Sequence, residues 1–159
     1  MKICFVCQGN IIRSPLAENI FRQMAETQGL SEKYQLDSAG TSAYHVGEAP
    51  DRRMRQVAAE HGFNYTGSAR QFWREDLDNY DLVLVMDQNN RRSLESMVQD
   101  SSQAKKIQMM RDFDSQGGAD LDVPDPYYGG LEGFEVTFQI VKRSCEGLLE
   151  ALESGQFTP

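Results

Sequence analysis

Met1-Lys2-Ile3-Cys4-Phe5-Val6-Cys7-Gln8-Gly9-Asn10-Ile11-Ile12-Arg13-Ser14-Pro15 is the stretch on which the reading of the whole chain turns. Ile3, Phe5 and Val6 form a short apolar run suited to a buried strand, and Cys7 stands where that run ends. Ser14-Pro15 reads as a helix start, because serine is a favoured cap and proline a favoured first helical residue. A cysteine, a small glycine-containing loop, an arginine and a helix N-terminus therefore fall within one turn of chain. That arrangement suits a phosphate-like oxyanion, since loop N–H groups and the helix dipole aim positive charge at one spot. Arg13 adds a fork for two oxygens. The same field favours the thiolate of Cys7, and a thiolate facing a bound phosphate is a nucleophile facing its electrophile.

Working outward, residues 15–27 read as a helix carrying Leu16, Ile20, Phe21 and Met24 at helical spacing, ended by Gly29. Residues 34–37 read as a second strand, and Ser38-Ala39-Gly40-Thr41 as the opening of a long loop. A second helix is expected over 51–61, with Met54, Val57 and Ala58 inward and Gly62 as its stop. Residues 66–78 read as irregular or as a short helix. Asp81-Leu82-Val83-Leu84-Val85-Met86 is a strand apolar on both faces, as in a parallel sheet covered on each side. Asp87 can cap a helix carrying Leu94, Met97 and Val98, and residues 105–109 read as a fourth strand. Residues 111–130 form a long acidic loop, and a loop of that length in a compact domain implies a job for it. Phe134, Phe138, Val141, Cys145, Leu148, Leu149 and Leu152 mark one stripe of a last helix, and residues 155–159 read as a frayed tail. Strands and helices alternate, so the expected fold is α/β with a mostly parallel sheet. Ligands of such sheets bind at the carboxyl ends of the strands, where Cys7 lies.

The chain's 159 residues are enough for one domain with a real core. Its net charge of −8 argues against nucleic acid and against an anionic membrane surface as partners. No apolar run reaches membrane-spanning length, and the strand after Met1-Lys2 is too short for the core of a signal peptide. Three cysteines, Cys4, Cys7 and Cys145, make an odd count that fits free thiols in a reducing compartment, so the cytoplasm is expected.

Cys-x5-Arg alone is a weak pattern, and its bland reading is a buried strand-end cysteine and a solvated arginine. Its position between strand and helix favours the anion site. Cys4 and Cys7 also form Cys-x-x-Cys, but residues three apart on a strand point to opposite faces, which argues against a redox pair or half a zinc site. Cys4 and Cys145 read as core residues. His45 and His61, the only histidines, show no obvious carboxylate partner nearby; surface or cap roles are the main reading of each, with a place at the site as the alternative. Val123-Pro124-Asp125-Pro126-Tyr127-Tyr128-Gly129-Gly130 is more informative. Two prolines stiffen Asp125, and neighbouring tyrosines would hold its carboxyl partly desolvated, as suits a general acid. The alternative is an ordinary Pro-Asp turn with packed tyrosines.

With both segments in view, the chain resembles the low-molecular-weight protein tyrosine phosphatases over nearly its whole length. The matching segments are Cys7 to Pro15, Asp37 to Thr41, Ala69-Arg70-Gln71, Met86-Asp87 and Asp125 to Gly129. A nucleophile loop at the N-terminus and an acid loop more than a hundred residues later distinguish this family from the larger tyrosine phosphatases, which reverse that order. The resemblance implies a single three-layer, Rossmann-like domain over residues 1–154, with a central four-stranded parallel sheet in the order 2-1-3-4. It implies a phosphotyrosine phosphatase working through a phosphocysteine on Cys7, with no metal or other cofactor. Arg13 and the loop of Gln8, Gly9, Ile11 and Ile12 would hold the phosphate. Asp125 would be the acid and then the base, and Ser14 would steady the leaving thiolate. Asn10 would hold the loop in an αL backbone, and Asp87 would brace it. Tyr44, Tyr127 and Tyr128 would line a phenol slot. The implied partner is a phosphotyrosine-bearing protein, a tyrosine kinase among the candidates, for a monomer or weak dimer.

Two positions depart from the family pattern. Ile12 stands where many members have a second cysteine that protects the nucleophile, and Gly67 where many have a histidine bracing Asn10 and Ser14. Three rival readings are a protein-arginine phosphatase, an arsenate reductase on the same fold and a non-catalytic phosphotyrosine-binding module. The arginine-specific branch tends to have threonine at the place of Ile11, and Ile11 with two tyrosines suits a flat phenyl ring better. Arsenate reduction needs further accessible cysteines, which Cys4 and Cys145 do not supply by position. A binding module would need neither Cys7 nor Asp125.

Overall fold

Alternate residues of the first strand, β1 (Lys2–Cys7), face opposite sides of the sheet, and this parity organises the molecule. Ile3, Phe5 and Cys7 join a large apolar cluster on one face, and Cys4 and Val6 join a smaller one on the other. The computed structural model describes all 159 residues. β1 is central. It pairs in parallel with β2 (Gln35–Gly40) and with β3 (Leu82–Val85), and β3 pairs with β4 (Ile107–Met109). The order β2-β1-β3-β4 and the all-parallel sheet are those expected.

α1 (Arg13–Thr27), α2 (Arg52–Glu60) and α6 (Leu131–Ser154) pack over the face that holds Ile3, Phe5, Leu82 and Leu84. Leu77 of α3 (Asp76–Asn79) and Leu94 of α4 (Gln88–Glu95) cover the other face against Cys4, Val6, Val83 and Val85. The result is three layers, α/β/α. α6 ends at Gly155, whose φ of 77° is left-handed. Beyond it, Phe157 lays its ring edge-on against Phe113, with centroids 5.2 Å apart. No helix is long and apolar enough to cross a membrane.

Several local readings are corrected. β2 runs on through Ser38-Ala39-Gly40 because those residues pair with Phe5, Val6 and Cys7. The start of α1 is not capped by Ser14: Ile12 takes the cap position and Arg13 opens the helix, which frees the Ser14 hydroxyl for the loop. Asp87 does cap α4 in a reciprocal box with Asn90, but the helix stops before Met97 and Val98. Two short elements went unforeseen, α5 (Ser101–Lys105) and a 3-10 turn (Met110–Phe113). The turn takes up the start of the segment read as one loop.

Candidate active site

Cys7 ends β1, and the five residues after it wrap back toward α1 without regular structure. The carbonyls of Cys7, Gln8 and Ile11 accept from the N–H groups of Thr41, Ser42 and Asp51 at 2.9, 3.0 and 2.7 Å. Those bonds pin the loop from outside. The N–H groups of residues 8–12, by contrast, donate to no protein acceptor. Buried N–H groups are almost always paired, so a loop with its amides free is built to receive an anion.

Asn10 makes the wrap possible. With a φ of 56° it is the one non-glycine residue in the left-handed region, as expected for it. Its Nδ2 donates to Ser14 Oγ at 2.8 Å and to Ser38 Oγ at 3.0 Å, while its Oδ1 accepts from Arg70 N–H at 2.9 Å. Because an amide nitrogen can only donate, the Ser14 hydroxyl must accept there. Its own proton is then free for Cys7 Sγ, 3.0 Å away, a nearer acceptor than the Ala39 carbonyl at 3.4 Å. The Ser38 hydroxyl donates to Glu18 Oε1 at 2.7 Å. Burial raises the Glu18 pKa, and its bonds with Ser38 and Arg22 offset part of that rise. The network thus closes through Ser38, Glu18 and Arg70, none of them foreseen, and the glycine at position 67 leaves none of these side chains unpaired.

Arg13 is buried at the back of the loop. Its Nη1 donates to Asp87 Oδ2 at 2.7 Å and to the Val123 carbonyl at 3.0 Å, and its Nη2 lies 3.5 Å from Asp125 Oδ2. Burial opposes its charge, but Cys7, Asp87 and Asp125 outweigh burial and its pKa is raised. Asp87 serves two elements: one oxygen holds Arg13, and the other caps α4 through Asn90 N–H at 2.8 Å. Asp87 thus ties Arg13 to the start of α4.

A cleft of about 560 Å³ opens above the loop. Cys7, Gln8, Gly9, Ile11, Ile12 and Arg13 form its floor, and Tyr44, Asp125, Tyr127 and Tyr128 join the lining. Asn10, Ser14 and Asp87 stand behind it. Ser42, which was not foreseen, and His45, whose place at the site was the alternative reading, complete the lining. His45 bonds through Nδ1 to Glu48, and its ring lies edge-on to Tyr44 with centroids 4.7 Å apart. Glu48, three residues on, was the sequence signal that the reading of His45 passed over. His61 also has a carboxylate, Glu135 at 2.7 Å, which is 74 positions away in sequence. The expected desolvation of Asp125 is not found: its side chain is 43% exposed beside Arg13. Tyr44 and Tyr128, 86% and 97% exposed, stand at the rim rather than closing a slot. The cleft is open, and an aryl group entering it would supply the missing cover. Cys4 and Cys145 are fully buried, Cys4 across the sheet and Cys145 against the Ala17 carbonyl.

A thiol at the end of the central strand, a ring of free amides and an arginine behind them define a cysteine-based site for a tetrahedral oxyanion on an α/β sheet. Known proteins sharpen that class. A family model described as low molecular weight phosphotyrosine protein phosphatase matches residues 2–156. A low molecular weight protein-tyrosine-phosphatase of Streptomyces coelicolor is 43% identical over 152 residues, 95% of this chain and 93% of that one. The crystal structure of a protein tyrosine phosphatase from Entamoeba histolytica matches with a TM-score of 0.93 at 39% identity over 99% of each chain. A Drosophila arginine phosphatase matches with a TM-score of 0.88 at 31% identity over 96% of this chain and 98% of that one. The chain belongs to the low molecular weight phosphotyrosine protein phosphatase family.

Proposed function

We propose that the protein hydrolyses phosphotyrosine in proteins, and small aryl phosphates, through a phosphocysteine intermediate. One observation carries the reading: Cys7, Arg13 and Asp125 line a single cleft over a loop whose amides are free. The amides of residues 8–12 and the free edge of Arg13 hold the phosphate oxygens and their growing charge. Cys7 Sγ attacks phosphorus in line, the S–P bond forms and the P–O bond to the aryl group breaks. Asp125 gives its proton to the departing phenolate oxygen. In the second step Asp125 takes a proton from water, the water oxygen attacks phosphorus, and Cys7 leaves as a thiolate that accepts from the Ser14 hydroxyl. These steps need no metal ion.

Ile11 in the cleft floor and the Tyr127–Tyr128 pair favour a flat ring as the leaving group. The likeness to an arginine phosphatase keeps phosphoarginine as the second reading. The substrate is proposed to be a phosphotyrosine-bearing protein, a tyrosine kinase among the candidates, met in the cytoplasm by a monomer or weak dimer. The test is turnover of phosphotyrosine, phosphoarginine and arsenate side by side, with wild type and Cys7→Ser. Phosphotyrosine should be the preferred substrate, and Cys7→Ser should abolish its turnover. A preference for phosphoarginine would shift the reading to the second, and turnover by Cys7→Ser would end the mechanism.

A further inference from the structure

The loop that carries Asp125 is tied down on both sides of that residue. Before it, Val123 N–H donates to the Met86 carbonyl beyond β3 at 2.7 Å, and the Thr137 hydroxyl of α6 donates to the Pro124 carbonyl at 3.1 Å. After it, the Tyr127 carbonyl accepts from Nη1 of Arg53 at 3.1 Å. Tyr127 N–H in turn donates to Oδ1 of Asp125 at 3.1 Å. The backbone of Tyr127 thus joins the carboxylate to Arg53.

Arg53 is itself held. Its Nε and Nη2 grip the Asp51 carboxylate at 3.2 and 3.0 Å, and its guanidinium lies over the rings of Phe134 and Tyr127, 4.6 and 5.4 Å from their centroids. Burial works against the charge on Asp51, yet its hydrogen bonds with Arg53 prevail and hold its pKa below the ordinary value. Asp51 N–H donates to the Ile11 carbonyl of the phosphate loop at 2.7 Å. A continuous chain therefore runs from phosphate loop to acid through Ile11, Asp51, Arg53, Tyr127 and Asp125.

We propose that Arg53 is a positioning residue for the general acid, setting where Asp125 stands relative to the phosphate loop. The inference rests on the phosphatase reading. Arg13 lies 3.5 Å from Asp125 and draws the carboxylate toward the loop. A proton donor has to stand over the leaving oxygen instead, and Arg53 holds the segment that decides between the two. A displacement of about 1 Å is enough to cripple such a transfer.

The test compares kcat/KM for nitrophenyl phosphate, whose leaving group needs little protonation, with phenyl phosphate, whose leaving group needs it. The proteins are wild type, Arg53→Met, Arg53→Lys, Asp125→Asn and the Arg53→Met/Asp125→Asn double variant. Methionine keeps an unbranched chain over Phe134 and removes the donors. Arg53→Met should lose about tenfold more on phenyl than on nitrophenyl phosphate. Arg53→Lys should recover part of that difference, and it carries the test if the methionine variant does not fold. In the Asp125→Asn background, Arg53→Met should add no further discrimination, because nothing remains to be positioned. A purely structural role would lower both substrates alike. Equal losses, or a difference that persists in the double variant, would overturn the inference while Asp125→Asn still discriminates the two substrates. An Asp125→Asn variant that treats both alike would overturn the acid role and this inference with it.

Discussion

Gly40 shows how little freedom the phosphate loop has. A Cβ there would stand 2.7 Å from the Gln8 carbonyl oxygen and 3.2 Å from Asn10 N, so backbone would have to move. Gly40→Ala should therefore cost kcat/KM about tenfold or more by shifting the free amides. The measurement is phosphotyrosine turnover against wild type, with thermal unfolding to show that the variant folds. Unchanged turnover would mean that the loop tolerates the shift. At this scale the sequence is legible where chemistry and spacing coincide. Cys7 and Arg13 stand six positions apart on either side of one turn, and Asp125 is flagged by its prolines. What stayed hidden is held by long-range pairing. Arg53 meets Tyr127 across 74 positions, and Glu18 reaches Asn10 only through Ser38. Sequence spacing carries no trace of either.

Elements are readable where their ends are marked. Asp87, Gly29 and Gly62 each sit at the boundary they signal, as cap, left-handed stop and left-handed stop. The end of β2 was missed because Ser38-Ala39-Gly40 carry no strand propensity of their own; their partners on β1 make them a strand. Gly147 exemplifies the same dependence inside a helix. A Cβ on it would lie 1.9 Å from the Phe113 carbonyl oxygen, so α6 and the 3-10 turn meet backbone to backbone at that point. Gly147→Ala should destabilise by about 2–3 kcal/mol and lower Tm by about 5–10 °C. Gly133→Ala in the same helix meets only Pro126 Cβ, at 3.6 Å, and should be neutral or mildly stabilising. Calorimetry of the two variants checks the contrast, and equal melting points would contradict it.

Across the whole molecule, the two-sided core follows from the alternation of β1, whereas the sheet order was implied only by the family resemblance and the ties between far ends do not show in the sequence. Asp114 is one such tie. Its side chain is wholly buried and bonds Arg111 at 3.1 Å and Arg143 of α6 at 2.8 Å. Burial alone would raise its pKa, but Arg143, Gln116 N–H and Arg111 prevail and hold it below the ordinary carboxylate value. A carboxyl with a depressed folded-state pKa stabilises fully above its unfolded value and loses that contribution as pH falls through the folded one. Asp114→Asn should therefore cost about 3 kcal/mol at neutral pH, with a gap to wild type that narrows below about pH 4. Urea unfolding at the two pH values decides it, and a gap independent of pH would refute the assignment. The proposed activity belongs to this scale too, because Cys7, Arg13 and Asp125 come from the end of β1, the start of α1 and the loop before α6 and meet in one cleft only in the folded chain. The most direct measurement is rapid acid quench of Asp125→Asn with nitrophenyl phosphate, followed by mass spectrometry of the peptide containing Cys7. The acidic leaving group lets the first step proceed while loss of the base slows the second, so phosphate should accumulate on Cys7. Turnover without any adduct on Cys7, or an adduct on another residue, would contradict the account.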